Sequence, residues 1–90
     1  MAHSPGADLD GIAGAIRTRQ DLAKFVEALH ADLLRNPEEW ENPSLPLFLE
    51  ALAAWTEDMD GSFANQGKPV PQEPTWRLIA EMLLAARIYE

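Results

Sequence analysis

Apolar residues at helical spacing constrain this sequence more than any other feature. The clearest set comprises Leu22, Phe25, Val26, Leu29 and Leu33. Because these positions repeat every three or four residues, they share one face of a helix. Alanine, the best helix former, occurs fourteen times, and no run of β-branched residues is present. The sequence therefore predicts an all-α fold, a small bundle of helices.

The first main helix is predicted over about residues 19–35. Thr18 with Asp21 three residues later resembles a capping box, which satisfies free backbone N–H groups at a helix start. Asn36-Pro37 ends the helix, because proline cannot continue its backbone hydrogen bonding. The charged residues outside the apolar stripe are expected to face water: Lys24, Glu27 and Asp32.

A short turn of helix is predicted over residues 37–40, where Asn36 suits the cap and Pro37 suits the first helical position. Trp40 lies in this turn, and its large apolar surface predicts that it closes one end of the core. Because glutamates flank Trp40, an alternative is that it forms a partly exposed anchor for a partner.

The second main helix is predicted over about residues 45–65. Its apolar stripe comprises Leu45, Phe48, Leu49, Leu52, Trp55, Met59 and Phe63. The stripe continues past Gly61, and the acidic residues before that glycine would be unfavourable at the negative end of a helix dipole. We therefore predict a helix end near Asn65 with Gly67 as a left-handed cap, and an end near Asp60 is the alternative.

The last main helix is predicted over about residues 74–89, after a proline-rich connector, with Pro74 as its first residue. Arg77 and Glu81 are expected to pair along one side. Apolar residues cover most of the remaining surface, Trp76 among them. A helix this apolar belongs either at the centre of the bundle or in a dimer interface.

The chain is predicted to contain one helical domain over residues 18–90, with three main helices and one short turn. Residues 1–17 are predicted to be a mostly irregular lead-in, with Ile12 or Ile16 packing on the first main helix. Since the chain has no cysteine, its stability depends on apolar burial or on association with a second chain.

The net charge of the chain indicates which classes of partner it can bind. Fifteen acidic residues against seven basic ones give a net charge of −8, which argues against binding nucleic acid or an anionic membrane and favours a basic protein. No run of about 20 apolar residues, as a membrane span requires, occurs in the sequence. Together with the absence of cysteine, this predicts a soluble, cytoplasmic protein.

The motifs that could carry chemistry are weak. Residues 58–61, Asp-Met-Asp-Gly, are similar to the start of a calcium loop, but the glycine comes two positions early and the distal glutamate is missing. His30 has no nucleophile clearly placed beside it, and a histidine at the edge of the core is the simpler interpretation. We therefore expect no catalytic residue, no metal site and no cofactor.

Several pieces of the sequence are distinctive in combination. They are residues 36–42 (Asn-Pro-Glu-Glu-Trp-Glu-Asn), 48–51 (Phe-Leu-Glu-Ala), 54–55 (Ala-Trp), 58–61 and 85–90 (Ala-Ala-Arg-Ile-Tyr-Glu). Over about residues 18–90 the chain resembles a family of small bacterial proteins known only as a domain of unknown function. The resemblance implies a bacterial helical domain and supplies no activity or cofactor.

The favoured functional hypothesis is a non-catalytic protein-interaction domain, such as an adaptor, an inhibitor or an immunity-like partner. The candidate partner-binding residues lie in two acidic segments: Glu38, Glu39, Trp40, Glu41, Glu57, Asp58 and Asp60. One alternative is a structural homodimer that uses spare apolar surface on the last helix, near Leu84 and Ile88. Another is a small-molecule-binding domain with an aromatic pocket between helices, lined by Trp55 and Trp76.

Overall fold

The computed structural model describes residues 8–90, and these residues form helices and connecting loops without a strand. Their α-helices are α1 (Leu9–Gly14), α2 (Arg19–Arg35), α3 (Leu45–Asn65) and α4 (Trp76–Ala86). A 3₁₀ turn (Pro37–Glu39) lies between α2 and α3. The predicted all-α fold with three main helices and a short turn is confirmed, and α1 is an addition to it.

Helix α2 follows the prediction at both ends. The Thr18 side chain accepts a hydrogen bond from the Asp21 backbone N–H, and the Asp21 carboxylate accepts one from the Thr18 N–H, which completes a capping box. Asn36 caps the other end, directly before the 3₁₀ turn. On the buried face, the Phe25 side chain is fully enclosed.

The capping box gives a test of this helix start. Thr18→Ala should lower the free energy of unfolding by about 1 kcal/mol, because the Asp21 N–H loses its side-chain acceptor. Urea denaturation at neutral pH measures this change. Glu27→Ala, an exposed substitution on the same helix, should change the free energy by less than about 0.5 kcal/mol. Equal effects from the two substitutions would contradict a role for the cap.

The same cap predicts a dependence on pH. Hydrogen bonds from the Arg17 N–H, and then from the Thr18 N–H, hold the pKa of Asp21 below its ordinary value of 3.8. Because the folded chain favours the ionised carboxylate, this stabilisation is present above pH 3.8 and is lost as the pH falls through the lowered pKa. Asp21→Ala should therefore destabilise the chain in neutral urea titrations and much less in strongly acidic ones. A difference that persists in acid would contradict this account.

Helix α3 continues through Gly61 to Asn65, as predicted, so the alternative end near Asp60 is wrong. Ser44 caps its start by accepting a hydrogen bond from the Leu47 N–H. Gly67 has a φ of 71° directly after the helix, the left-handed conformation that glycine adopts without steric cost.

Helix α4 is shorter than the predicted range of residues 74–89. It begins at Trp76 because the Thr75 side chain, rather than Pro74, forms the cap by accepting a hydrogen bond from the Leu78 N–H. It ends at Ala86, after which the chain turns and the N–H groups of residues 88 and 89 both donate to the Ala85 carbonyl. The predicted Arg77–Glu81 pair is present at 3.2 Å.

The amino-terminal segment differs most from the prediction of an irregular lead-in. Asp8 caps α1 by accepting a hydrogen bond from the Gly11 N–H. Leu9, Ala13 and Ile16 are then buried against the rest of the core, and the expected packing of Ile16 is confirmed. Glycines at positions 11 and 14 hid this six-residue helix from a periodicity argument, because glycine is a poor helix former. Residues 1–7 of the predicted lead-in lie outside the described range.

Helix α4 is the central element of the described structure, since α1, α2 and α3 all pack against it. Its Ala80 is fully buried beside Phe25 in a core cluster with Leu9, Leu29 and Trp40. This arrangement accounts for the nearly all-round apolar character of α4 within one chain.

Several apolar residues expected in the core are exposed instead. Leu45 is 68% exposed, Leu49 is half-exposed, and Trp76 is 43% exposed. The first two lie in the opening turns of α3, a helix that does not pack on α2, and Trp76 lies at the start of α4. Trp55 is half-buried, so Trp40 is the one tryptophan fully incorporated in the core of residues 8–90.

Candidate partner-binding surface

A buried carboxylate organises the junction between α2 and the 3₁₀ turn. Asp32, only 8% exposed, accepts a hydrogen bond of 2.8 Å from the indole Nε1 of Trp40 and one of 3.2 Å from the side-chain amide of Asn36. Because a buried carboxylate needs donors to replace water, these bonds fix both the end of α2 and the orientation of Trp40. Asp32 was predicted to face water, and that prediction is wrong.

Arg87 supplies a positive charge to the same cluster. Its Nη1 lies 3.9 Å from Asp32 Oδ2, and both side chains are largely buried. The Nε of Arg87 is buried and has no hydrogen-bond partner among residues 8–90. A charge pair in this environment offsets part of the cost of burying each member, and removal of either one leaves the other uncompensated.

Asn42 joins this junction to the end of the chain. Its side-chain amide donates to the carbonyl oxygens of Ala86, at 3.0 Å, and Tyr89, at 2.8 Å. Its backbone N–H donates to the Arg87 carbonyl at 3.1 Å. The segments 36–42 and 85–90, which stand apart in the sequence, therefore meet in one polar cluster.

An apolar groove lies beside this cluster, between α2 and the start of α3. Both helices pack on α4 but not on each other, and Trp40 lines the space between them. The groove has a volume of about 290 Å³ and is lined mainly by Val26, Leu29, Leu33, Leu45, Phe48 and Leu83. Trp40 forms its floor and stacks on Phe48, with ring centroids 6.0 Å apart.

The acidic residues predicted as partner-binding all lie on the surface, in two segments. Glu38, Glu39 and Glu41 are exposed in and after the 3₁₀ turn, and Glu57, Asp58 and Asp60 are exposed on α3. Both segments reach the end of the chain: Glu41 contacts the Glu90 carboxyl, and Asp58 accepts a hydrogen bond of 2.6 Å from the Tyr89 hydroxyl. We call these six exposed residues the acidic surface.

Trp40 does not belong to the acidic surface. Its side chain is only 7% exposed and its polar atom bonds Asp32, so the alternative of an exposed anchor is wrong. Its predicted place at one end of the core is confirmed.

On the acidic surface, the carboxyl group of Glu41 lies against the carboxyl group of Glu90. A proton shared with the Glu90 carboxyl group raises the pKa of Glu41 above its ordinary value of 4.5. Repulsion between the two negative charges acts in the same direction. No lysine or arginine of residues 8–90 contributes to this shift. The repulsion between the two carboxyl groups is therefore not offset by a salt bridge within residues 8–90.

Comparison with known proteins gives a family for the chain. The model of a family of unknown function, DUF7660, matches residues 18–90. The chain belongs to DUF7660. The resemblance drawn from the sequence motifs is thereby confirmed as a family of unknown function. No curated protein and no solved structure shows detectable similarity to the chain.

The DUF7660 match includes the whole polar cluster of Asp32, Asn36, Trp40, Asn42 and Arg87, and it also includes the groove. It begins at the cap of α2 and leaves out α1. In this DUF7660 member the folded unit therefore extends beyond the matched region, because α1 contributes Leu9 and Ala13 to the same core.

Sequence reasoning missed the polar cluster of this DUF7660 member. Asp32 follows Phe25 by seven residues and Leu29 by three, so helical phase alone places it on the buried face. The charge of Asp32 favoured an exposed position, and the prediction followed the charge rather than the helical phase. Asn42 and Arg87 carried no local signal, because they bond across more than forty residues.

The two tryptophans of the predicted aromatic pocket line different clefts in this DUF7660 member. Trp55 lines a cleft of about 380 Å³ between α3 and α4, together with Arg77 and Glu81. Trp76 lines a different cleft, beside Ile16 at the start of α4.

The hydrogen bond from the Tyr89 hydroxyl to Asp58 predicts a measurable shift in the titration of Tyr89. The titration is easy to assign, because Tyr89 is the single tyrosine of this DUF7660 chain. Donation of the phenol proton to Asp58 raises the pKa of Tyr89 above 10.0, so the bond's stabilisation is lost as the pH rises through that raised value. Asp58→Ala should bring the pKa back toward 10.0, measured by tyrosinate absorbance. Asp60→Ala, an equal change in charge, should leave it nearly unchanged, and equal shifts would contradict the contact.

Proposed function

We propose that this chain is a non-catalytic protein-interaction domain of the bacterial cytoplasm, which binds a basic protein partner through its acidic surface. An adaptor, an inhibitor and an immunity-like protein all fit this description. The absence of cysteine suits a reducing compartment. Within the described residues, no helix is long and apolar enough to cross a membrane.

The observation that carries the proposal is the exposure of all six residues of the acidic surface. None of them forms a salt bridge with a lysine or arginine of residues 8–90, and Glu41 lies against the Glu90 carboxyl. Two carboxylates held together repel each other at neutral pH, and a lysine or arginine placed between them relieves that repulsion. The neighbouring acidic residues extend the same field, which attracts a basic protein and repels an acidic one.

The rigidity of the surface supports the same proposal. Asn42 fixes the chain beside Glu41 through three hydrogen bonds to residues 86–89. Tyr89 in turn holds Asp58. Charges on a preorganised backbone lose little conformational entropy when a partner binds, so more of their attraction appears as affinity.

Affinity capture from a lysate of the source organism tests the proposal. At low salt, the wild-type chain should retain a basic protein, and salt should weaken that retention. Glu41→Lys and Glu57→Lys should each reduce retention roughly tenfold. Glu73→Lys is the matched control, because it makes the same change in charge before α4 begins, whereas Glu41 lies beside the residues that follow α4.

Glu73→Lys should therefore retain the partner as the wild type does. The proposal fails if no specific protein is retained at low salt. It also fails if Glu41→Lys and Glu73→Lys retain the same protein equally.

A further inference from the structure

We propose that the apolar groove between α2 and α3 binds one face of an amphipathic helix of the partner, with basic residues flanking its apolar face. This inference rests on the proposed function and names the recognition element. It begins from exposure: Val26 is 43% exposed and Leu45 is 68% exposed on the two walls. The exposed Leu49 lies one turn beyond Leu45, so the apolar surface continues past the groove itself.

The floor of the groove is fixed before a partner arrives. The Trp40 ring is held by its hydrogen bond to Asp32 and by stacking on Phe48, and Leu83 of α4 lies beneath the walls. A preformed apolar site needs little reorganisation on binding.

The dimensions and charge of the groove select the occupant. Along α2 the lining residues run from Val26 to Leu33, which spans about 10 Å at the rise of an α-helix. Two helical turns with apolar side chains at positions i, i+4 and i+7 match that length. The lining contributed by residues 8–90 includes His30 but no lysine or arginine, and the exposed Glu27 and Glu41 adjoin lining residues in the chain. Basic residues on the flanks of the incoming helix therefore complement the rim.

The probe is a synthetic helix-forming peptide with leucines at positions i, i+4 and i+7 and lysines on both flanks. The control peptide carries glutamates in place of the lysines. Calorimetry at low salt should detect binding of the lysine peptide and at least about tenfold weaker binding of the glutamate peptide. Val26→Glu and Leu45→Glu should each lower the affinity for the lysine peptide by about tenfold.

Leu47→Glu is the matched control, because Leu47 is equally an exposed leucine of α3 but lies about 200° around the helix from Leu45. It should leave the affinity within about twofold of the wild-type value. All three substitutions are at exposed positions, and circular dichroism should show unchanged helix content.

The inference is overturned if the lysine peptide does not bind, if both peptides bind equally, or if Leu47→Glu weakens binding as much as Leu45→Glu. Self-association that Val26→Glu and Leu45→Glu abolish would assign the groove to a second copy of this chain, which also overturns it. If a captured partner is lost with Glu41→Lys but retained with Val26→Glu and Leu45→Glu, the groove assignment fails and the acidic-surface proposal stands.

Discussion

Replacing Asp32 by alanine should lower the free energy of unfolding by about 3 kcal/mol, although the substitution removes a charged residue from a helix. The loss leaves the Trp40 indole N–H without its acceptor and leaves Arg87 without its counter-charge in a largely buried position. Asp32→Asn should cost less, about 1–2 kcal/mol, because an amide oxygen still accepts from Trp40 but carries no charge. Urea denaturation followed by tryptophan fluorescence measures both.

Glu27→Ala is the control for the charge itself, since Glu27 is an exposed acid on the same helix. It should change the free energy of unfolding by less than about 0.5 kcal/mol. If Asp32→Ala lowers the free energy of unfolding as little as Glu27→Ala does, the buried cluster does not stabilise the junction between α2 and the 3₁₀ turn.

Removing residues 1–16 should cost at least about 4 kcal/mol, because the truncation takes Leu9, Ala13 and Ile16 out of the core and exposes Phe25. A domain of this size has a total stability of about 5–15 kcal/mol, so a partly unfolded population is expected. Thermal unfolding by circular dichroism measures the effect.

Single substitutions test the same segment without changing chain length. Leu9→Ala and Ile16→Ala should each cost about 2–3 kcal/mol, and Asp10→Asn, at an exposed position of α1, should cost less than about 0.5 kcal/mol. A chain that begins at residue 17 and is as stable as the full chain would show that α1 is not part of the folded unit.

Local signals account for what the sequence predicted correctly. The bounds of α2 follow from Thr18, Asp21 and the Asn36-Pro37 stop, and each of these acts within a few residues. The end of α3 follows from Gly67, whose backbone conformation few other residues adopt. These features depend on short-range sterics and hydrogen bonding, which a sequence displays directly.

One error arose from two competing local signals, and another arose where a partner outside the local pattern decides. Pro74 and Thr75 are both good residues for a helix start, and the side-chain bond of Thr75 to the Leu78 N–H decides between them. Trp40 was flanked by glutamates, but Asp32 across the turn gave its indole N–H a buried acceptor. The pairing of Trp40 with Asp32 depends on tertiary packing and has no fixed spacing along the chain.

The candidate surface was predictable only in part. The acidic residues are visible in the sequence, but the meeting of their two segments at Tyr89 and Glu90 depends on how α4 ends. The groove depends on the absence of direct packing between α2 and α3, which no pattern within either helix encodes. Leu45 illustrates this, since it has the spacing of a core residue and lies mostly in water.

A nuclear magnetic resonance titration of the wild-type chain with the lysine-flanked peptide tests the central claim most directly. The account predicts that the indole N–H resonance of Trp40 and the amide resonances near Val26, Leu45 and Glu41 shift together. Resonances of the cleft beside Trp55 should stay in place. Shifts concentrated in that cleft, or no shifts at all, would contradict the claim that the groove binds a lysine-flanked helix beside Glu41.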